Sequence, residues 1–246
     1  MDTLHGIHLT RVIVALVLVG VGPFLDLKSL RRLKETCDGE LRLRWYRCAV
    51  PALWATGIVC FGLIGFHGLI HLPGDVIEAH AGWAVPKTIL SGVTVGLSVG
   101  LLMPGMLSLF NPRMQAAYGK AYVKAGLVYL LPIGQQQRRW WAVLSLTAGI
   151  CEELIFRGFV LTVLRIDLHQ GMILALLASS LAFGWAHLYQ GISGILKAGM
   201  MGLLLAIAAF ATGGLLLPIV LHSLIDLQVL AIYRPPLEST LTAQAI

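Results

Sequence analysis

The sequence carries little charge for its length. Only 12% of its 246 residues are Asp, Glu, Lys or Arg, whereas 57% are hydrophobic, and the mean hydropathy is +0.82. A chain of this composition has too little polar surface to fold as a soluble globular domain. We therefore expect an integral membrane protein in which residues 1–246 form a single membrane domain.

Cysteine and metal-binding motifs are also sparse. The four cysteines, Cys37, Cys48, Cys60 and Cys151, form no CxxC pair, and no HExxH sequence is present. These absences argue against a disulfide framework and against a thiolate or helical zinc motif, so we expect no metal and no cofactor. The net charge of +6 comes from basic residues that lie between apolar runs, as in loops facing anionic lipid, and we expect no binding of nucleic acid.

Seven apolar runs predict the fold class. A helix needs about 20 residues to cross a membrane, so the chain has room for about seven spans, in a range of six to eight. The sequence thus predicts an all-α fold, a polytopic transmembrane helix bundle. The runs are residues 12–25, 48–70, 88–110, 140–164, 172–188, 198–212 and 215–233.

Basic residues are concentrated between the first and second runs and between the third and fourth. Because cytoplasmic loops are rich in Lys and Arg, these loops should face the cytoplasm. The amino terminus is then outside and the carboxyl terminus cytoplasmic, in what we expect to be a bacterial inner (plasma) membrane. A short apolar piece at residues 125–133 should lie at the headgroup level, as a substrate-guiding element or as an anchor.

Polar residues that interrupt the late apolar runs are the candidates for function. Each charge inside a span costs roughly 2.5–3.5 kcal/mol on insertion scales, so several of them require a use. Spacings of four residues place Glu153 beside Arg157, and His222 beside Asp226, on shared helix faces. The candidates are Glu152, Glu153 and Arg157 in the fourth run, Phe183 and His187 in the fifth, and His222 and Asp226 in the seventh.

These side chains have the chemistry of a hydrolase if their helix faces converge. A carboxylate and two imidazoles in a cavity shielded from lipid can activate a water molecule and stabilise an oxyanion. The inventory therefore predicts hydrolysis, with the reacting groups supplied by three different helices.

Three motifs, EExxxR, FxxxH and HxxxN/D, follow one another on successive late spans. In this order they resemble the motifs of the CAAX protease and bacteriocin-processing family, also called CPBP or Abi. The resemblance covers residues 140–233, the expected catalytic core. It implies an intramembrane glutamic endopeptidase, similar to a type II CAAX prenyl endopeptidase, which hydrolyses a peptide bond of a membrane-associated, prenylated or other precursor protein.

The resemblance also implies a role for each candidate residue. Asp226 stands where the family often has asparagine, and an ionised aspartate would repel an oxyanion. Asp226 is therefore either protonated at the oxyanion or orients His222 as a charged donor, and we favour the second role. By position, the implied roles are Glu152 as general base, His187 as its partner, His222 with Asp226 at the oxyanion, Glu153 with Arg157 as a supporting ion pair, and Phe183 in packing.

Three alternative functions remain open from the residues themselves. Glu152, His187, His222 and Asp226 are acceptable zinc ligands by type, which would make the protein a zinc-dependent membrane protease. A non-catalytic bacteriocin-immunity factor or other membrane binding partner is the second alternative, and a proton-coupled transporter is the third. For the protease, the expected partners are a peptide or membrane-anchored protein substrate and the lipid bilayer.

The predicted depths of these residues conflict. Glu152 lies roughly 18 Å into the fourth run, near the bilayer middle. His187 falls near the cytoplasmic end of the fifth run, and His222 falls in the outer part of the seventh. A common site therefore requires tilted or offset helices, or span boundaries that differ from the apolar runs.

Overall fold

The computed structural model describes residues 2–65 and 87–234, which form helices with no β-strand among them. Two π-helical segments, Leu154–Val160 and Val163–Asp167, extend α5, and a 3₁₀ turn, Leu188–Gln190, joins α6 to α7. The α-helices are α1 (Asp2–Thr36), α2 (Gly39–Ile64), α3 (Lys87–Phe110), α4 (Pro112–Lys124), α5 (Gln135–Glu153), α6 (Met172–Ala186), α7 (Gly191–Thr212), α8 (Leu216–Leu227) and α9 (Val229–Ile232).

Helices occupy all seven apolar runs, and the predicted helical membrane bundle is confirmed. Within the described ranges, four helical stretches are long and apolar enough to cross a membrane, and two apolar helices are shorter. The remaining run lies in α5 and its π-helical extension, and the end of the second run lies outside the described residues. The four long stretches are Gly6–Thr36, Gly39–Ile64, Ser91–Phe110 and Leu188–Thr212, and the shorter ones are Met172–Ala186 and Leu216–Ile232.

The length predicted for the first span, 14 residues, is wrong. Helix α1 has 35 residues because the basic residues after the apolar run continue the helix, which makes it about 52 Å long. The basic segment between the first two runs is therefore helical, and only Cys37 and Asp38 separate α1 from α2. Cys37 reverses the chain at a φ of 51°, and Asp38 caps α2 by accepting a hydrogen bond from the Leu41 N–H at 2.8 Å.

Helix α5 changes to π-helical geometry directly after Glu153. All seven residues of Leu154–Val160 are buried, so this wider turn lies inside the bundle. The carbonyl of Phe156 accepts a hydrogen bond from Ser179 Oγ of α6 at 2.8 Å. Because π turns within α-helices occur frequently at functional sites, the end of α5 is a candidate functional region.

Residues that the apolar runs place at different depths nevertheless meet in the structure. Helix α6 spans Met172–Ala186, and α8 continues into α9 as the apolar stretch Leu216–Ile232; both are shorter than the roughly 20 residues that a membrane crossing needs. The ring of Phe183 lies 4.9 Å from that of His187 and 5.6 Å from that of His222, centroid to centroid.

Two glycines allow the close helix contacts that bring these elements together. A Cβ atom added at Gly149 of α5 would lie 2.1 Å from Ser223 Oγ and 2.8 Å from the Ser223 nitrogen of α8. A Cβ added at Gly184 of α6 would lie 2.5 Å from the Ile195 carbonyl oxygen of α7. Backbone approach of this kind is typical of small residues between membrane helices, and it places His222 against the end of α5.

The apolar piece between α4 and α5 is tied to α2 and to the 3₁₀ turn. Arg42 Nε donates to the Tyr129 carbonyl at 2.7 Å, and the Tyr46 hydroxyl donates to the Leu130 carbonyl. Burial raises the pKa of Tyr129 to about 12, so its hydroxyl stays protonated and donates to the Tyr189 carbonyl at 3.4 Å. This piece is thus a tethered element that adjoins the residue two positions after His187.

Candidate active site

Glu153 is the centre of the polar cluster. Its Oε1 atom accepts hydrogen bonds from Arg157 Nη1 at 2.7 Å and from His222 Nδ1 at 2.8 Å. The Glu153 side chain is completely buried, and that of Arg157 is 1% exposed. A buried carboxylate is tolerated when it is paired and hydrogen-bonded, and here a single oxygen connects α5 to α8.

Arg157 holds the carboxylate from the π-helical segment. Its Nη2 donates to the Gly202 carbonyl of α7 at 2.7 Å, and its guanidinium carbon lies 4.5 Å from the centroid of the Phe183 ring. These contacts fix the guanidinium group between α5, α6 and α7 and combine an ion pair with a cation–π contact. The ion pair with Glu153 has the geometry that the sequence predicts for a supporting role.

The hydrogen bond to Glu153 determines the orientation of the His222 ring. Since Nδ1 donates to Glu153, Nε2 is directed toward the two remaining carboxylates, 3.9 Å from Glu152 Oε2 and 3.7 Å from Asp226 Oδ2. Both separations exceed a hydrogen bond. The structure also records Glu152 Oε2 as a buried oxygen without a hydrogen-bond partner in the described part of the chain.

Asp226 does not make the hydrogen bond that the sequence suggests for it. His222 Nδ1 donates its hydrogen bond to Glu153, whereas Asp226 faces the opposite nitrogen, Nε2. The side chain of Asp226 is 36% exposed. The carboxylate of Asp226 therefore borders the open side of the cluster.

His187 joins the cluster from the end of α6. Its Nδ1 donates to the Phe183 carbonyl at 2.9 Å, and this bond directs Nε2 away from the backbone. His187 interacts electrostatically with His222 and with Asp226, so the two imidazoles belong to one site. Phe183 connects them, because its ring also contacts Phe156 in the π-helical segment at 5.2 Å.

Two residues near the site were missed at the level of sequence. Asp26 of α1 interacts electrostatically with Glu152 and His187, and the Tyr189 ring lies 5.8 Å from that of His187. Asp26 directly follows the first apolar run, in the segment that the sequence predicts to be a basic loop between two spans. Asp26 is recognised as part of a membrane helix only when α1 is seen to continue past the apolar run to Thr36.

No group of three or more His, Cys, Asp or Glu side chains with metal-binding geometry is present within residues 2–65 and 87–234.

The structure brings together all the site residues predicted from the sequence, which are Glu152, Glu153, Arg157, Phe183, His187, His222 and Asp226. Fold and site together define a polytopic membrane protein with a Glu–His centre enclosed by its helices.

The comparison with protein families agrees with this class. Residues 134–228 match the family described as Rce1-like, type II CAAX prenyl endopeptidase. The match confirms the resemblance predicted from the three motifs, and it contains all seven candidate residues.

Similarity to individual proteins is limited to part of the chain. An Escherichia coli protein described as an uncharacterized 24.3 kDa protein is 40% identical over 76 residues. The aligned region covers 30% of this chain and 35% of the relative, so it spans about a third of that protein. No solved structure matches this chain significantly.

Proposed function

We propose that the protein is an intramembrane endopeptidase that hydrolyses a peptide bond in a membrane-anchored protein. One observation carries the proposal. Glu152 Oε2, buried and without a hydrogen-bond partner, faces His222 Nε2 across 3.9 Å, within a segment that matches a prenyl endopeptidase family. A water molecule admitted beside these two atoms with the substrate would meet both a carboxylate base and an imidazole.

In this mechanism Glu152 removes a proton from the water while the water oxygen attacks the peptide carbonyl carbon. The proton is later delivered to the leaving nitrogen, which completes the hydrolysis with no external reagent. His187 assists Glu152 in positioning the water through the Nε2 atom that its backbone bond leaves available.

His222 stabilises the oxyanion in this proposal. We take the ring as an imidazolium, with Nδ1–H bound to Glu153 and Nε2–H available to the developing negative charge. Arg157 keeps Glu153 in place, so the position of the donor depends on a side chain that does not touch the substrate. Asp226 borders Nε2 from the open side of the site, 3.7 Å away, without a hydrogen bond to the ring.

We further propose a bacterial inner membrane location with the amino terminus outside and the carboxyl terminus cytoplasmic. The support is the positive-inside bias, since the α1–α2 connection is flanked by Arg31, Arg32, Arg42 and Arg44. Cysteine labelling from either side of the membrane tests this: a single cysteine at the exposed Arg44 should be labelled from the cytoplasmic side, and one at the exposed Leu168, between the fourth and fifth apolar runs, from the outside.

The activity is tested by mapping protein termini in matched membranes. Cells expressing wild type, Glu152→Gln or Glu35→Gln are compared by mass spectrometry of membrane-protein termini, with equal amounts of folded protein. Glu35 is an exposed residue of α1 paired with Arg31, so its variant is the control. We expect new termini with wild type and with the control, and none with Glu152→Gln.

The alternatives predict different results in the same experiment. Termini that persist with Glu152→Gln contradict this residue as the base. If no terminus depends on the protein at all, a non-catalytic binding partner becomes the better explanation. Activity lost on chelation and restored by zinc, together with stoichiometric zinc in the purified protein, would favour the zinc protease.

A further inference from the structure

Helix α4 carries its basic side chains along one exposed stripe. Arg113, Lys120 and Lys124 are all exposed, and they follow one another at spacings of seven and four residues. These spacings correspond to about two turns and one turn of an α-helix, so the three side chains lie on one face. The 13 residues of α4 include no acidic residue, and the stripe is therefore positive along its whole length.

The opposite face of α4 packs against the end of the bundle. Gln115 Nε2 donates to the Ala231 carbonyl of α9 at 2.8 Å. A Cβ atom added at Gly119 would lie 3.6 Å from the Ile232 carbonyl oxygen of the same helix. Because these contacts fix the rotation of α4 about its axis, the basic stripe is held facing away from the protein interior.

The place of α4 in the chain puts the stripe at a membrane boundary. The stretch Ser91–Phe110 of α3 is long and apolar enough to cross a membrane, and α4 begins two residues later, at Pro112. Helix α4 is about 20 Å long, too short to cross a hydrocarbon core of roughly 30 Å. A short amphipathic helix with a basic exposed face is typical of a segment that lies in the headgroup region.

Exposed apolar side chains border the stripe at both ends of α4. Leu109 and Phe110 are 67% and 85% exposed directly before the helix, and Val123 is 55% exposed in its last turn. On a surface surrounded by water these side chains would be left in contact with solvent, whereas the acyl chains below a lipid headgroup would cover them. The combination of a basic stripe with apolar borders therefore favours lipid as the neighbour of this face.

The position of Arg113 also indicates an anion beside α4. Asn111 caps the helix, and Arg113 lies in the first turn, where the positive end of the helix dipole disfavours a cation. A negative group bound next to this side chain would offset the repulsion. An anionic occupant of the stripe is thus favourable both for the side-chain charges and for the helix itself.

We propose that α4 binds anionic phospholipid headgroups through Arg113, Lys120 and Lys124. The phosphodiester of a lipid such as phosphatidylglycerol supplies negative charge at the level of the stripe, and each basic side chain adds to the attraction. The acyl chains of the same lipid cover the apolar residues at the ends of α4. This binding is independent of the proposed peptidase activity.

Lipid binding is measured on the full-length protein by native mass spectrometry from detergent micelles. Phosphatidylglycerol and phosphatidylcholine with identical acyl chains are the two probes, so that only the headgroup differs. We expect wild type to bind phosphatidylglycerol about tenfold more tightly than phosphatidylcholine, because three cations face the anionic headgroup. Raising the ionic strength before the measurement should narrow this difference, since salt screens exposed charges.

A triple variant assigns the preference to α4. Arg113→Gln/Lys120→Gln/Lys124→Gln removes the positive charge of the stripe but leaves the packed face of the helix unchanged. We expect its preference for phosphatidylglycerol to fall to about twofold or less. Thermal unfolding in micelles without added lipid checks that the variant is folded.

The control removes the same net charge from other exposed positions, with Lys28→Gln/Arg32→Gln/Arg44→Gln in α1 and α2. This variant should keep the preference of wild type. Equal binding of the two lipids by wild type would overturn the proposal, as would a preference that survives in the α4 variant or falls equally in the control. Binding of a soluble glutamate-rich peptide to wild type, without any lipid preference, would assign the stripe to an acidic protein partner instead.

Discussion

Glu153 and His222 are separated by 69 positions in the chain, yet Nδ1 of the histidine donates to Oε1 of the glutamate at 2.8 Å. The same oxygen accepts from Arg157, so one buried atom joins the π-helical end of α5 to α8. The position of Nε2, the nitrogen that faces Glu152 and Asp226, therefore depends on Glu153. In the proposed mechanism, Glu153 is therefore a positioning residue and Glu152 is the base.

The first prediction concerns the Glu153–Arg157 pair. Glu153→Gln leaves the Arg157 guanidinium buried without its counter-ion, and we expect a loss of about 3–5 kcal/mol in the free energy of unfolding. The double variant Glu153→Leu/Arg157→Met removes both charges and should recover much of that stability, because apolar replacement of a buried pair is often tolerated. Denaturation in detergent micelles measures both values.

The double variant also separates stability from function. It lacks the acceptor for His222 Nδ1, so we expect a folded protein in which cleavage is still lost. A double variant as unstable as Glu153→Gln would contradict the ion-pair argument, and a double variant that retains cleavage would contradict the positioning role of Glu153.

The second prediction concerns the contact between α5 and α8. Gly149→Ala places a methyl group where Ser223 Oγ and the Ser223 nitrogen already lie, so the two helices must separate. We expect a loss of about 1–3 kcal/mol of stability from overpacking and a larger relative loss of cleavage, since His222 moves away from Glu153. Gly62→Ala of α2 is the control, because an added Cβ there meets no described residue within 4 Å. Equal stability and equal cleavage in the two variants would show that neither depends on the close contact between α5 and α8.

The limits of prediction from sequence are clear at particular residues. Glu152 and Arg157 are identifiable because charge within an apolar run is costly, and that signal is present in the sequence itself. The partner of His222 is not identifiable in this way, because the spacing of four favours Asp226, whereas the observed hydrogen bond is a tertiary contact from another helix. Asp26 was missed because the hydrophobic run ends at Leu25, although the helix continues for 11 residues to Thr36.

The third prediction concerns Phe183, whose ring contacts His187, His222, Phe156 and the Arg157 guanidinium. Phe183→Leu keeps an apolar side chain in the core but removes the flat surface that these groups share. We expect cleavage to fall more than tenfold while the free energy of unfolding falls by about 1–2 kcal/mol. Phe110→Leu provides the control, since Phe110 is 85% exposed at the end of α3. A Phe183→Leu variant with unchanged cleavage would reduce this residue to ordinary packing.

The last prediction concerns the tether of the apolar piece between α4 and α5. Arg42 is fully buried and donates to the Tyr129 carbonyl, to Gln137 Oε1 and to the Cys37 carbonyl, at 2.7, 3.2 and 3.2 Å. Arg42→Met preserves much of the side-chain volume but leaves these acceptors without a donor, and each lost bond to a charged group contributes about 1.5–3 kcal/mol.

We expect this variant to expose residues 125–134 to limited proteolysis and to lower cleavage, because Tyr129 reaches the Tyr189 carbonyl beside His187. Arg44→Met, two residues further along the same helix, removes an exposed arginine and should change neither measurement. Proteolysis that increases without any fall in cleavage would mean that the tethered piece stabilises the bundle but does not support the site. If neither measurement changes in Arg42→Met, the hydrogen bonds of Arg42 are not what holds this piece in place.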